Sequence, residues 1–170
     1  MPRCKNCKEK FEPIHFLQKY CIDKAECRAA MNIAASKKKK SEYNKENKSL
    51  PQMLKETQVI FNSYIRKRDY KNGCISCGKP FGEDKYDAGH YISTRHKIIT
   101  FDEDNVHGQC VSCNQHKNSN HIPYRKNLIN KIGENRVNRL EELYVHTKKW
   151  TKHELNELVS IYKQKIKEFQ

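Results

Sequence analysis

The stretch that decides the fold is Cys110-Val-Ser-Cys-Asn-Gln-His-Lys117. Its C-x-x-C pair has a counterpart at Cys74 and Cys77, and two such turns supply the four thiolates of a tetrahedral zinc site. No signal-peptide-like apolar segment precedes them, so we expect reduced thiols, and a disulfide framework is the alternative. The sequence therefore predicts that zinc holds residues 74–77 and 110–117 together.

Four more cysteines lie near the start of the chain, at Cys4, Cys7, Cys21 and Cys27. Five residues separate the last two, so the set is less regular than the first. We expect an N-terminal zinc module over residues 1–30, which is too short to fold without metal. Phe11 and Phe16 are candidates for its local core.

Composition and charge limit the classes of function. The 170 residues are 36% apolar and 32% charged, with a formal net charge of +14, and residues 36–71 hold eleven Lys and Arg against four Asp and Glu. Such a stripe favours binding to nucleic acid phosphates, with a merely solvated face as the alternative. No apolar stretch approaches the roughly 20 residues that span a bilayer, so we expect no membrane contact and a cytoplasmic location.

Specific basic residues are candidates for DNA contact. Residues 31–50 read as a basic linker, either a tether or a frayed helix, and the end of the following helix carries a basic rim that we expect to face outward. The candidate DNA-binding residues are Lys37, Lys38, Lys39, Lys40, Arg66, Lys67, Arg68 and Lys117.

Hydrophobic spacing predicts a mixed α+β fold for residues 51–170. Helices are expected over 51–71, 122–132, 134–146 and 152–169, and a helical stretch over 110–117. Thr151 and Glu154 form a capping box, and Ser49 with Gln52 resembles one. Short β-like runs lie at 87–92 and 97–101. The apolar stripe of 152–169 suits either a homodimer or packing within one chain.

Residues suited to phosphodiester hydrolysis lie between the cysteine pairs and directly after the second pair. His90 falls on a predicted strand, and Asn114 and His116 follow the last cysteine directly. A nuclease needs a base near neutral pKa to deprotonate water and a Mg²⁺-class ion to stabilise charge on the phosphate. We expect Mg²⁺ or Mn²⁺ to serve here, beside two structural zinc ions.

The motifs resemble a known family of nucleases. The order of C-x-x-C, a strand with His, an Asn and C-x-x-C-N is similar to the HNH, or ββα-metal, nucleases and to phage endonuclease VII. Closer still, Asp87-Ala-Gly-His-Tyr, Phe101-Asp-Glu-Asp-Asn-Val-His and Gln109-Cys-Val-Ser-Cys-Asn-Gln-His-Lys, followed by Pro123-Tyr-Arg, resemble the NinG/Rap recombination endonucleases of lambdoid phages. The resemblance covers most of 51–169 and, more loosely, the N-terminal cysteine module, and it implies a zinc-stapled HNH core flanked by helices.

The resemblance also implies roles for individual residues. His90 would activate water, and Asn114 would be a ligand of the catalytic ion. Asn105 matches the middle Asn of HNH motifs, which holds the loop and orients the base.

The chain departs from the HNH pattern at one position. Most HNH enzymes have an Asp directly before the base, and here Gly89 stands there. Asp87 lies on the same strand face as residue 89, so it is the second candidate ligand after Asn114, and His116 is the third. Alternatively, Asp87 caps a turn or pairs with Arg95.

These observations predict a phage endonuclease that cuts branched DNA, such as Holliday junctions and displaced-strand loops, in recombination inside the bacterial host. The branch preference comes from the resemblance alone. One alternative is a non-catalytic, zinc-stabilised nucleic-acid-binding module, which needs the zinc and the charge but not His90 or Asn114. Another is an HNH nuclease without branch preference.

Overall fold

The structure, a computed structural model, describes residues 1–169, except for the side chains of 44–46. It forms two compact units, Met1–Ser49 and a second that begins at Leu50. Each unit has its own core. No helix in the described chain is both long enough and apolar enough to cross a membrane.

The N-terminal unit is built around four cysteine side chains. Cys4, Cys21 and Cys27 are buried with Phe11, and an antiparallel bridge joins Arg3 to Lys10. A helix, α1 (Ala25–Glu46), follows and takes up most of the stretch interpreted as a linker. The prediction that Phe16 belongs to the core is wrong, because sulfur atoms and Phe11 fill this small interior and leave Phe16 92% exposed.

The second unit is a mixed α+β fold, as predicted. Its elements are α2 (Leu50–Asp69), β1 (Tyr86–His90), β2 (Val106–Cys110), α3 (His121–Ile132), α4 (Glu134–Leu143) and α5 (Lys152–Lys167). The four predicted helices are confirmed, with ends shifted by a few residues. Gly73 ends the first helical segment at a positive φ of 71°, and the Thr151–Glu154 capping box starts α5.

The two strands form one antiparallel hairpin, but its second strand is not the predicted one. β1 pairs with β2 so that Asp87 faces Gln109 and His90 faces Val106. The run at 97–101 forms a tight 3₁₀ turn instead, with Ile99 and Phe101 buried. Its β-branched residues fill core space, whereas the true strand contains glycine and polar residues that lower its β-propensity.

The hairpin lies between two cores. Ala88 and Val106 face a core with Phe61 and Ile65 of α2 and with the α5 face. That α5 face includes Leu155 and Tyr162, so the apolar stripe packs within this chain and a homodimer would need another surface. A second core joins α3 and α4 to the segment after β1, and its largest fully buried side chain is Tyr124.

A buried carboxylate ties the end of α2 to the hairpin. Asp69 is 1% exposed, and it accepts hydrogen bonds from the Gly108 backbone N–H and from the Arg68 guanidinium. Burial alone would raise the pKa of Asp69, but bonds from His107 and Arg68 hold it well below its usual range. The expectation that Arg68 faces outward is wrong, because its side chain is only 20% exposed and neutralises this carboxylate.

Candidate functional site

Both cysteine quartets have the geometry of a four-thiolate metal site. In each, the four sulfur atoms lie within 4.8 Å of one another. The Cys77 and Cys110 sulfurs are 3.8 Å apart, as are those of Cys7 and Cys21. A tetrahedron with Zn–S bonds of about 2.3 Å has edges of about 3.8 Å, whereas a disulfide needs about 2.0 Å. Either quartet can therefore hold an ion such as zinc, and none of the cysteines is in a disulfide.

The second quartet fixes the segments that carry the candidate site. Cys74 and Cys77 precede the hairpin, Cys110 ends β2, and Cys113 lies in a single π-helical turn, Ser112–His116. The Asn120 amide contacts the Cys113 sulfur at 3.5 Å. A metal in this quartet would lock the π-helical turn against the end of β2.

His90 is the last residue of β1 and is partly buried. Its Nε2 lies 3.3 Å from the backbone oxygen of Thr100. A carbonyl oxygen only accepts, so Nε2 carries the proton and Nδ1 is the basic nitrogen of the neutral ring. Burial lowers the pKa of His90, and the backbone of Thr100 and of Ala88, which favours the protonated ring, offsets part of that shift. The imidazole is therefore neutral, and able to accept a proton, at pH 7.

Asn105 holds the segment that contains the Thr100 carbonyl. The Asn105 side chain is fully buried; its Oδ1 accepts from the Ile92 N–H at 2.8 Å, and its Nδ2 donates to the carbonyls of Ile92 and Ile99 at 2.9 and 3.1 Å. The Asn105 amide thus binds Ile92 and Ile99, which lie at the two ends of one loop. The residue after Ile99 is Thr100, and its carbonyl oxygen contacts His90.

Asp87 and Asn114 lie together on the other face of the hairpin. Asp87 Oδ2 accepts from Asn114 Nδ2 at 2.9 Å and from Gln115 Nε2 at 2.8 Å. Because a carboxylate only accepts, the Asn114 amide nitrogen must face Asp87, which turns Asn114 Oδ1 away from Asp87. Asp87 thus pairs with the π-helical turn, and no hydrogen bond to Arg95 occurs within the described chain.

The remaining predicted groups are not gathered into one cluster. Strand alternation places His90 and Asp87 on opposite faces of β1, and no hydrogen bond joins His90 to Asp87 or Asn114 in the part of the chain that is described. His116 is exposed and is not part of a group that could hold an ion; among the side chains of residues 1–43 and 47–169, only the cysteine quartets bring together three or more His, Cys, Asp or Glu ligands.

From the sequence, Gln109 could hydrogen-bond near the site only as any polar residue before a zinc cysteine could, yet the structure buries its side chain inside the hairpin. It is fully buried, faces Asp87 across the hairpin, and donates from Nε2 to Ser76 Oγ at 2.7 Å and to the Ser119 carbonyl at 2.6 Å. Its Oε1 is the one buried side-chain polar atom without a partner among the described residues. The only feature of the sequence that points to Gln109 is its position directly before Cys110.

The candidate DNA-binding residues fall into separate groups. Lys37 to Lys40 are exposed on α1 in the N-terminal unit. Lys67 and Lys117 are exposed in the second unit, whereas Arg66 is half-buried and its carbonyl accepts from the Tyr86 hydroxyl. Of the predicted rim on α2, Lys67 therefore has the most accessible charge.

Comparisons with known proteins identify relatives along the whole chain. The family model described as "Bacteriophage Lambda NinG protein" matches residues 1–170. The chain is 35% identical to "Protein ninG" of Escherichia phage 933W, 34% to that of Escherichia phage lambda and 35% to that of Salmonella phage P22, in each case over 98% of this chain and 92% of the relative. These names state no activity. No solved structure matches the chain.

Proposed function

We propose, from the premise that this chain belongs to the NinG family, that it is a metal-dependent endonuclease that cuts branched DNA. The likeness to HNH nucleases and to phage endonuclease VII is part of this proposal. Holliday junctions and displaced-strand loops are the proposed substrates, and recombination in the bacterial host is the proposed setting.

The observation that carries the proposal is the orientation of His90. Its Nε2 proton is committed to the Thr100 carbonyl, and Asn105 fixes the neighbouring backbone. Nδ1 is then available to take a proton from a water molecule. The resulting hydroxide oxygen bonds to phosphorus, the bond from phosphorus to the leaving sugar oxygen breaks, and that oxygen takes a proton from solvent.

Asn114 would hold the catalytic ion, and Asp87 would orient the Asn114 side chain. Oxygen donors suit Mg²⁺ and Mn²⁺, and Asn114 offers Oδ1 because its nitrogen is bound to Asp87. Asp87 then acts as a positioning residue and supplies negative charge nearby. When bound, the ion would neutralise charge that develops on the phosphate and the leaving oxygen. His90 and Asn114 have separate tasks in this proposal.

The other proposed parts are structural ions and basic surfaces. One zinc ion in each cysteine quartet would hold the N-terminal unit together and fix the π-helical turn beside Asp87. Lys67 and Lys117, with the α1 lysines, would bind backbone phosphates without reading base sequence.

A second candidate is a zinc-stabilised nucleic-acid-binding module without catalysis. It is favoured by the finding that, among the side chains that the structure describes, the ligand clusters are the two quartets, and neither includes His90, Asp87 or His116. The two candidates differ in the role of His90, which is the catalytic base in the nuclease and has no catalytic role in the binding module.

Cleavage of a synthetic four-way junction tests the proposal. With Mg²⁺ or Mn²⁺, the purified protein should nick the junction faster than a linear duplex of the same sequences. His90→Ala should bind the junction as tightly as the parent and lose at least about a hundredfold in rate. His153→Ala is the matched control, since His153 is an exposed histidine on α5 and its replacement should leave the rate unchanged.

Each outcome has a distinct meaning. Undiminished cutting by His90→Ala, with host nuclease excluded, would overturn the assignment of the base. Equal rates on branched and linear DNA would discard the branch preference and retain the chemistry. Tight binding without cleavage by the unmodified protein would favour the binding module.

A further inference from the structure

A groove in the N-terminal unit is separate from every residue used above for catalysis. It has a volume of about 420 Å³ and lies between the loop before Cys21 and helix α1. Three lysines, Lys5, Lys19 and Lys38, contribute to its walls, and Leu17 and Met31 contribute apolar surface. No carboxylate is among the described residues that line it, so the groove is suited to an anion with an apolar part.

The loop beside the groove displays apolar side chains to solvent. Ile14, Phe16 and Leu17 are 76%, 92% and 67% exposed. The loop is held from inside by Gln18, whose Oε1 accepts from the Ile14 N–H at 2.7 Å and whose Nε2 donates to the Tyr20 carbonyl at 2.8 Å. A hydrogen-bonded turn therefore presents this tip, and exposed apolar groups clustered in this way mark an interaction surface.

The charge of the unit indicates the class of partner. Residues 1–49 contain thirteen Lys and Arg against six Asp and Glu. Proteins that hold single strands combine a positively charged groove with aromatic or apolar side chains that contact the unstacked bases. Paired duplex offers phosphates but no exposed base faces, whereas an unpaired strand offers both.

We infer that this groove binds an unpaired nucleic acid strand, with Lys5, Lys19 and Lys38 contacting phosphates and with Phe16 and Leu17 against the bases. The inference deepens the proposed function and rests on it for its setting, because displaced strands at branches are ligands of this class. An anionic membrane surface would instead meet a flat or convex apolar face, and here the lysines line a concave groove.

Binding of a labelled oligothymidine to the full-length protein tests this inference. The His90→Ala background without added Mg²⁺ removes cleavage from the measurement. Fluorescence anisotropy should show that Lys19→Ala/Lys38→Ala weakens binding at least about fivefold and lowers the salt slope by about 1.4, the value for two lost phosphate contacts on a single strand. Lys10→Ala/Lys24→Ala is the control with the same charge change outside the groove.

A second variant tests the apolar contacts. Phe16→Ser should weaken oligothymidine binding about tenfold while binding to a linear duplex changes little, because stacking needs an unpaired base. Zinc content equal to that of the parent shows that each variant is folded. Phe16 is exposed, so this substitution leaves the core intact.

The opposing outcomes are equally specific. Parental oligothymidine affinity in both variants would overturn the inference. If the variants instead lose binding to vesicles containing phosphatidylserine, the ligand is a membrane; if they change the oligomeric state, the surface is a protein interface. Failure of the proposed nuclease activity would appear as uncut junction with the unmodified protein, which leaves the oligothymidine result standing.

Discussion

Gln109 occupies the space that a side chain at residue 89 would need. A Cβ atom built on Gly89 would stand 2.1 Å from Gln109 Oε1 and 2.9 Å from Gln109 Cβ. Rotating the Gln109 amide by half a turn would cost free energy. Its Nε2 now donates to the Ser119 carbonyl, and after the rotation Oε1 would face that carbonyl, so two acceptors would meet. The acid that most HNH enzymes carry before the base histidine therefore has no room in this hairpin.

Gly89→Ala should destabilise the second unit. The added methyl group must push Gln109 and the β2 backbone aside, and overpacking of this kind costs about 1–3 kcal/mol. Thermal melting should show a Tm several degrees lower. The double variant Gly89→Ala/Gln109→Ala should lose less stability than the two single changes added together, because part of the collision is removed. A melting temperature equal to the parent's would contradict the close contact.

Cleavage should depend on pH through His90. Its pKa lies below the ordinary value of 6.5 because the ring is buried. The protonated ring cannot accept a proton, so kcat/KM should fall about tenfold per unit as the pH drops below that pKa and should level off above it. Rates measured on the junction between pH 5 and 8 test this. An acid limb with its midpoint above pH 6.5 would contradict the assignment.

Asp87 and Asn114 should differ in their effect on metal dependence. Asp87→Ala removes the acceptor that orients Asn114, so the Mg²⁺ concentration for half-maximal cleavage should rise by about 10- to 100-fold, with activity restored at high metal. Asn114→Ala removes the proposed ligand, and activity should stay low at any metal concentration. Gln115→Ala is the control, because Gln115 is exposed and donates to the same Asp87 oxygen. Full recovery of Asn114→Ala at high metal would contradict its role as a ligand.

Metal analysis should find two zinc ions per chain. Cys4→Ser/Cys7→Ser should remove one ion and leave the second quartet loaded, because the two quartets belong to different compact units. Cys110→Ser/Cys113→Ser should remove the other and also abolish cleavage, since the turn that carries Asn114 loses its anchor. Zinc stoichiometry below one in the unmodified protein would contradict both sites.

Patterns that are local in the sequence were enough to predict the helices and the cysteine sites. Spacing of apolar residues located four helices, and the paired cysteines located the quartets, because both patterns depend on neighbours along the chain. The second strand was missed because Val106–Cys110 contains Gly108 and polar side chains whose burial depends on contacts from elsewhere. The predictions for Phe16 and Arg68 were wrong for a similar reason. The sequence does not show that the interior of the N-terminal unit is too small for Phe16, or that Arg68 is needed to neutralise the buried Asp69.

The sequence by itself determined the α+β class, the family and the residues of both quartets, since motif spacing carries each of these. Only the tertiary structure showed that Asp87 binds the Asn114 amide, that Thr100 and Asn105 set the orientation of His90, and that Gln109 fills the space beside Gly89. The contacts of Asp87 with Asn114, of His90 with Thr100, of Asn105 with Ile92 and of Gly89 with Gln109 each join residues at least ten positions apart. The physical reason is that closure of the hairpin brings them into hydrogen-bond or van der Waals contact.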